Sequence, residues 1–519
     1  MSRINTNISS VVAQNSLKRS QRELDVRLGR LSTGLRINRG ADDPAGLIIS
    51  ERLRSDIQGV DQGMKNAERA SSMIATTEGS LAEVNDLLNS IRSLMVESSN
   101  TGALSAEERA ANQLQIDSAI DSITRISNTA TFGGLRLLDG SLDYKLSGLS
   151  TNQITTAKVN NASFVSNQPL RVDVDVITSA QTGSLFYNGG TTPAGVTLSS
   201  MTLEVAGPAG VQVLTIASGQ SLSNVVQAVN NLAQLTGVKA SLINNNATSG
   251  MVFSSAEYGS DSFVSVKRLG GPLDPAQNSF TTFRYSQGQQ YRMDLPFGWA
   301  GLLASGAIES ANSDRGQDVT ALVNGNVATG KGLTLSVNSP ALGVKLDLNS
   351  DFATDPTSGL STFYVTGGGA MFQLGPSVNA SQQTTIGIPS IAASRLGAKL
   401  VNGVVQTLSS LKSGQGNSIE ESVAGNDFTA AQTIIAASID EVTILRGRLG
   451  AFERNVLDPN VRSLQSQFEN LTSSESQIRD ADFAAESSKM TRAQILSSAG
   501  TSTLTLANQQ AQQVLQLLG

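Results

Sequence analysis

At 519 residues, with 39% hydrophobic and 15% charged side chains, the chain is long enough for several domains and is neither membrane-like nor highly charged. A net charge of −6 argues against nucleic acid as a main partner, and 0 His with 0 Cys excludes imidazole and thiol nucleophiles, thiolate or imidazole metal sites and disulfides. One Trp and an aromatic content of 4% leave little to build a stacked cofactor site, so the expectation is a structural protein with no catalytic residue, cofactor or metal.

The opening residues Met1 to Ser9 lack the basic-then-apolar block of a cleavable signal, and no run reaches the ~18 apolar residues of a membrane span. Neither nucleic acid nor membrane is therefore expected as a partner. Up to about Leu138 the texture is helical, with Pro44 the only proline. Leu17, Leu24 and Leu31 recur every seven residues, with Leu28 and Leu35 four further on from Leu24 and Leu31, which predicts a stripe facing a partner. The segment Gly40 to Gly46 interrupts, Asp43 is placed to cap a new helix, and Pro44 fits its first turn. That second helix carries Leu53, Ile57, Val60, Met64, Ala67, Ser71 and Ile74, then Leu81, Val84, Leu87, Ile91 and Leu94. Spacings of three and four sustained this long predict a coiled-coil-like seam. Ser105 to Glu108 reads as a capping box opening a third helix with Ile116, Ile120 and Ile123 on its core side, ending across Asn128 to Gly134.

Between about Asp139 and Ser394 short alternating runs replace the helical period. Leu170–Ile177, Met201–Val205 and Leu333–Asn338 read as strands. Val211–Ala217, a helix capped by Ser221, and Val238–Leu242 read as one strand–helix–strand unit. Asn188-Gly-Gly, Asn324-Gly and Gly367-Gly-Gly mark turns and do not match a phosphate loop. From about Arg395 the chain is helical again. Ile434, Ile435, Ile439, Val442, Leu445, Leu449 and Phe452 form one face, continued by Val461, Leu464, Phe468 and Leu471, with Asp458 expected to cap a new helical turn at Pro459. Phe483, Met490, Ile495 and Leu496 follow, then Val514, Leu515, Leu517 and Leu518 in a tail with no charge after Arg492. Such a tail requires a covering partner to stay soluble.

Motifs at both ends carry a resemblance. Ile4-Asn-Thr-Asn-Ile8, Leu31-Ser-Thr-Gly-Leu-Arg-Ile-Asn38 and Ala41-Asp-Asp-Pro-Ala-Gly-Leu47 stand at the start. Leu445-Arg-Gly-Arg-Leu-Gly-Ala451, Phe468-Glu-Asn-Leu471, Ile478-Arg-Asp-Ala-Asp-Phe483, Lys489-Met-Thr-Arg-Ala-Gln-Ile495 and Ala507-Asn-Gln509 stand near the end. In this order, over roughly the first 140 and last 120 residues, they resemble bacterial flagellin, the subunit of the flagellar filament.

The resemblance implies an α+β multidomain chain whose long N- and C-terminal helices form a coiled-coil-like bundle around an inserted β-rich central region of one or two subdomains. By it, residues 1–42 with 457–519 form an inner helical layer. Residues 43–175 with 395–456 form a second helical bundle with a small β part, and 176–394 a variable surface region. Self-assembly would run through Ile4, Ile8, Leu17, Leu24, Leu28, Leu31, Leu35, Met490, Ile495, Val514, Leu515 and Leu518. The bundle seam would use Leu53, Ile57, Val60, Met64, Ile74, Leu81, Ile439, Val442 and Leu449.

Implied partners are further copies of the chain, hook-associated and cap proteins, and an export chaperone covering the C-terminal tail. Export would proceed unfolded, without a cleaved signal, to an extracellular filament, and the ends would order only on assembly. A contact with Toll-like receptor 5 would involve Arg92, Leu94 and Gln115. Ser90 stands where an arginine is expected and Gln115 where a glutamate is, which predicts weakened recognition. Other readings are a hook–filament junction protein, or a filament subunit that also displays glycans or acts as an adhesin. A zinc-protease insert is excluded because no His-Glu-x-x-His site can exist without histidine.

Overall fold

The computed structural model describes residues 7–164, 168–189, 194–197, 199–270, 280–286, 297–339, 341–401 and 404–518. The chain divides into two compact units, one of residues 1–120, 372–384 and 397–519, the other of residues 121–371 and 385–396.

The first unit is built on long helices. Helix α1 (Ile8–Thr33) starts where Asn7 accepts from the Ser10 amide and ends at Gly34, whose φ of 74° is the left-handed conformation glycine adopts without strain. Helix α2 (Pro44–Ser98) runs 55 residues, about 80 Å, from a cap in which Asp43 accepts the Gly46 amide. The capping box opens α3 (Ala106–Thr129) as expected: Ser105 N donates to Glu108 Oε2 at 2.8 Å, and Glu108 N to Ser105 Oγ at 3.2 Å. Near the C-terminus α5 (Thr429–Phe452), α6 (Asp458–Arg479) and α7 (Phe483–Leu518) follow.

Helix α2 packs along α5 and α6. Its buried positions Val60, Gly63, Ala67, Ala70, Ile74, Thr77, Leu81, Val84, Leu88, Ile91, Met95 and Ser98 alternate steps of three and four. Facing them, Ile435, Ser438, Val442, Leu445 and Leu449 of α5 keep the same period. Leu449 and the next buried position, Leu457, are eight apart instead of seven. A π turn at Glu453–Leu457 absorbs the extra residue. This corrects the expected restart at Pro459. Asp458 has helical φ −60° and ψ −46° and caps nothing, and the chain runs on without a break. The proline is tolerated because it stands in the first turn after the wider π segment.

Three large antiparallel sheets make up most of the second unit. The largest has eight strands in the order Tyr144–Ser147, Ser361–Gly368, Leu170–Thr178, Thr320–Val323, Asn326–Lys331, Thr334–Asn338, Leu342–Leu348 and Ile154–Ala162. Its core is aliphatic, with Val172, Val174, Leu335, Leu346 and Phe363 fully buried. Asn324 and Gly325, at φ 47° and 76°, form the two-residue turn of one hairpin. This sheet joins strands from both sides of the border expected near residue 175, because long-range pairing leaves no mark in local sequence.

A four-stranded sheet (Ser313–Arg315, Phe263–Gly270, Met201–Gly207, Gly210–Ile216) and a five-stranded sheet (Ile308–Ser310, Thr282–Tyr285, Ser184–Tyr187, Met251–Ser255, Val238–Leu242) share a second core with α4 (Leu222–Asn231). Ser221 caps α4 by accepting the Asn224 amide. The elements of the strand–helix–strand unit all form, but its two strands lie in different sheets, so the helix bridges sheets rather than crossing over within one. Trp299 sits in an aromatic cluster with Phe283 and Phe297 and donates its indole N–H to the Ser249 carbonyl at 2.6 Å.

Candidate assembly interface

Helix α1 packs antiparallel along α7. On α1, Ser10, Ala13, Leu17, Ser20, Leu24, Arg27 and Leu31 are buried or half-buried and repeat at steps of three and four. On α7 the matching set is Glu486, Met490, Ala493, Ser497, Gly500, Leu504 and Ala507. One helix supplies leucines and the other mostly small residues, so the axes approach closely. A Cβ on Gly500 would stand 3.3 Å from Leu17 Cδ1.

Polar contacts set the register at both ends of this seam. Asn7 Nδ2 donates to the Ala507 carbonyl at 2.9 Å and Ser10 Oγ to Asn508 Oδ1 at 2.8 Å. At the other end Glu486, only 4% exposed, accepts from Arg27 and lies near Arg30 and Lys489. Burial alone would push the Glu486 carboxyl up, but the Arg27 hydrogen bonds and the charges of Arg27, Lys489 and Arg30 outweigh it and hold the group below the ordinary glutamate value.

Past Gly34 the two linkers pair as extended backbone. Leu35 bridges Asp480, Arg36 N donates to the Arg479 carbonyl at 2.7 Å and Ala481 N to that of Gly34 at 2.9 Å. Arg479 also reaches Glu51 Oε1 on α2 at 2.9 Å, linking the start of the long bundle to the end of α6. Asp42 accepts the Asn38 and Arg39 amides, which hold its carboxyl below the usual range and fold the loop before α2.

The candidate residues separate into two faces. Leu17, Leu24, Leu31 and Met490 are half-buried in the α1–α7 seam, and Leu35 is half-buried in the linker pair. Ile8, Leu28 and Ile495 are 60%, 48% and 64% exposed, on faces that the described residues leave open, and Val11, Val12, Leu496 and Leu506 are exposed as well. Ile4 lies outside the described residues. Val514, Leu515 and Leu518 belong to the last turns of α7, and their side chains lie outside the described set. In the bundle Val60, Ile74, Leu81, Val442 and Leu449 are buried, while Leu53, Ile57, Met64 and Ile439 are half-buried. Arg92, Gln115 and Ser90 are exposed, and Leu94 is half-buried.

Reading apolar residues alone missed Arg27, Glu486, Arg479 and the small residues Ala493, Ser497, Gly500 and Ala507. The signal was available as spacing: 486, 490, 493, 497, 500, 504 and 507 keep the heptad even though few of those residues are large. Gln113 of α3 was missed too. Buried, it donates to the Leu411 carbonyl at 2.9 Å and accepts the Ile419 amide at 2.8 Å. Among the described residues no helix is long and apolar enough to cross a membrane, and no acidic cluster could hold a metal ion.

Two chain ends that zip together and still offer apolar faces to solvent define a self-assembling fibre subunit. Residues 4–143 match the bacterial flagellin N-terminal helical region and residues 432–518 the bacterial flagellin C-terminal helical region. The chain is 29% identical to a flagellin of Salmonella rubislaw and 28% identical to a B-type flagellin of Pseudomonas aeruginosa, each match spanning 99% of both chains. A flagellin of Clostridium tyrobutyricum is 26% identical over 98% of this chain and 100% of its own length. The chain belongs to the bacterial flagellins. It is a structural subunit of the extracellular flagellar filament, a homopolymer used for motility, and is not an enzyme.

Proposed function

We propose that the filament is held together by the apolar faces of α1 and α7 that their shared seam leaves open. The observation behind this is the exposure of Ile8, Leu28 and Ile495 beside helices already paired on their other side. Faces of this kind lose most when left in water and gain most when a neighbouring subunit covers them. In this reading α1 with α7 forms the inner layer and α2 with α5 and α6 the second layer, which moves residues 458–479 out of the inner layer expected from the sequence. Residues 176–394 are then the surface region. Leu17, Leu24, Leu31 and Met490 act within the subunit, and Ile8, Leu28 and Ile495 act between subunits.

The same exposed faces suit an export chaperone before assembly and the hook-associated and cap proteins at the two ends of the polymer. Leu28→Asp and Ile495→Asp each put a charge where a neighbour would pack, so both variants are expected to give no filaments in electron microscopy after repolymerisation. Trp299 fluorescence should be unchanged, since that residue lies in the other unit. Filaments of ordinary length and yield from both variants would overturn the assignment.

A further inference from the structure

Among the described residues six strands form the edges of the three large sheets. Five carry charge: Glu309 in Ile308–Ser310, Lys239 in Val238–Leu242, Asp314 and Arg315 in Ser313–Arg315, Lys145 in Tyr144–Ser147 and Lys158 in Ile154–Ala162. Charge on an edge strand discourages a second chain from adding to it. The sixth edge, Gly210–Ile216, has none, and no charged residue occurs anywhere from 205 to 238. It pairs with Met201–Gly207 over seven residues with no bulge, and among the described residues no strand pairs with the backbone donors and acceptors of its other side. Val211 and Val213 stand 56% and 55% exposed on that strand.

We propose that Gly210–Ile216 pairs antiparallel with the same strand of a second copy of this chain, joining two four-stranded sheets into one of eight strands. The strand is self-complementary. Pairing centred on Val213 sets Val213 against Val213 and Val211 against Thr215 on one face, with Gln212 against Leu214 on the other, and no like charges meet. A charged partner would find nothing to recognise there. The two copies are related by a local two-fold axis, so the contact joins subunits in closed pairs.

The proposal rests on the filament reading in one respect. One strand edge buries far less than the ~1,200 Å² of a stable interface. The polymer must therefore supply the high effective concentration that makes the contact form.

The chain has 0 Cys, so a single introduced thiol reports unambiguously. Filaments of Val213→Cys treated with copper phenanthroline are expected to cross-link to covalent dimers at least ~10-fold faster than filaments of Val327→Cys, since facing Cβ atoms in a strand pair come within about 5 Å. Val327 is 71% exposed but lies in the eight-stranded sheet. Filaments mixing Val211→Cys with Thr215→Cys should also cross-link. Val211→Cys alone should not, because the two copies of residue 211 would lie about 13 Å apart. Intact Val213→Cys filaments that cross-link no faster than the Val327→Cys control would overturn the pairing, as would equal cross-linking by Val211→Cys alone. Failure of the unsubstituted chain to polymerise is a separate result and would count against the filament reading instead.

Discussion

Arg27 Nη1 lies 2.9 and 3.1 Å from the two carboxylate oxygens of Glu486, joining residues 459 positions apart in the chain. The carboxylate is almost fully buried, and three cations hold its titration below the ordinary glutamate value. A depressed carboxyl stabilises the folded state above its unfolded pKa, and that contribution disappears as pH falls through the folded value. The pairing of α1 with α7 is therefore expected to weaken on acidification below the normal glutamate range. Glu486→Gln should weaken it at neutral pH by about 2 kcal/mol, the scale of a charge-assisted hydrogen bond, and remove this part of the acid response. Light scattering of filaments titrated with acid is the measurement. An unchanged acid midpoint in the variant would refute the assignment.

Gly500 tests how closely the two helices must approach. Alanine there meets Leu17 Cδ1 at 3.3 Å, a mobile end that can yield, and Leu17 Cα and Cβ at 3.6 Å, an ordinary contact, and gains about 1 kcal/mol of helix propensity, so Gly500→Ala should polymerise normally or somewhat better. Leucine at the same place overfills the seam at a cost of about 1–3 kcal/mol and should lower filament yield sharply. Equal yields of the two variants would show that the close approach is unimportant.

Leu81 is fully buried on α2, and Trp299 is the only tryptophan, placed in the other unit. Leu81→Ala is expected to destabilise the helical bundle by about 2–5 kcal/mol, seen as a lower midpoint in circular dichroism at 222 nm. The Trp299 fluorescence transition should stay in place. A parallel shift of both signals would mean that the two units unfold as one.

The ends of the free subunit should be weakly protected. In a single chain α1 and α7 cover one another along a seam in which only half the residues are larger than Ala, Ser or Gly, and their other faces carry exposed Ile, Val and Leu. That leaves little burial to offset the entropy of ordering so many residues. Hydrogen exchange on depolymerised subunits is expected to be fast over Ile8–Thr33 and slow over the buried positions of α2. Slow exchange over α1 in dilute solution would contradict this.

The contact with Toll-like receptor 5 that the sequence resemblance implies can be tested by substitution. Ser90 and Gln115 are exposed and uncharged, and Arg92 is exposed as well. Ser90→Arg with Gln115→Glu adds two charges of the kind that strengthen a polar contact, so signalling through Toll-like receptor 5 in a reporter cell should rise about tenfold or more. No increase would count against the proposed contact.

Much of this protein was legible locally. The Asp43 cap, the Ser105–Glu108 box, the α2 heptads and the Ser221-capped helix each depend on residues within a few positions of one another, which is the range over which helix and turn chemistry acts. Absent His and Cys excluded whole classes of chemistry before any fold was considered. What composition and period could not reveal was which stripe meets which. Leu28 and Leu31 look alike in sequence, yet Leu31 faces α7 and Leu28 faces solvent, because three residues on a helix turn the side chain by about 300°.

The tertiary structure alone decided that Arg27 would find Glu486, that a π turn would carry the α5 stripe past Pro459, and that the strands flanking α4 would enter different sheets. It also decided that Gly210–Ile216 would become an uncharged sheet edge. Each depends on segments that meet only after the chain has folded, and the free energy of such a meeting belongs to the pair rather than to either sequence alone.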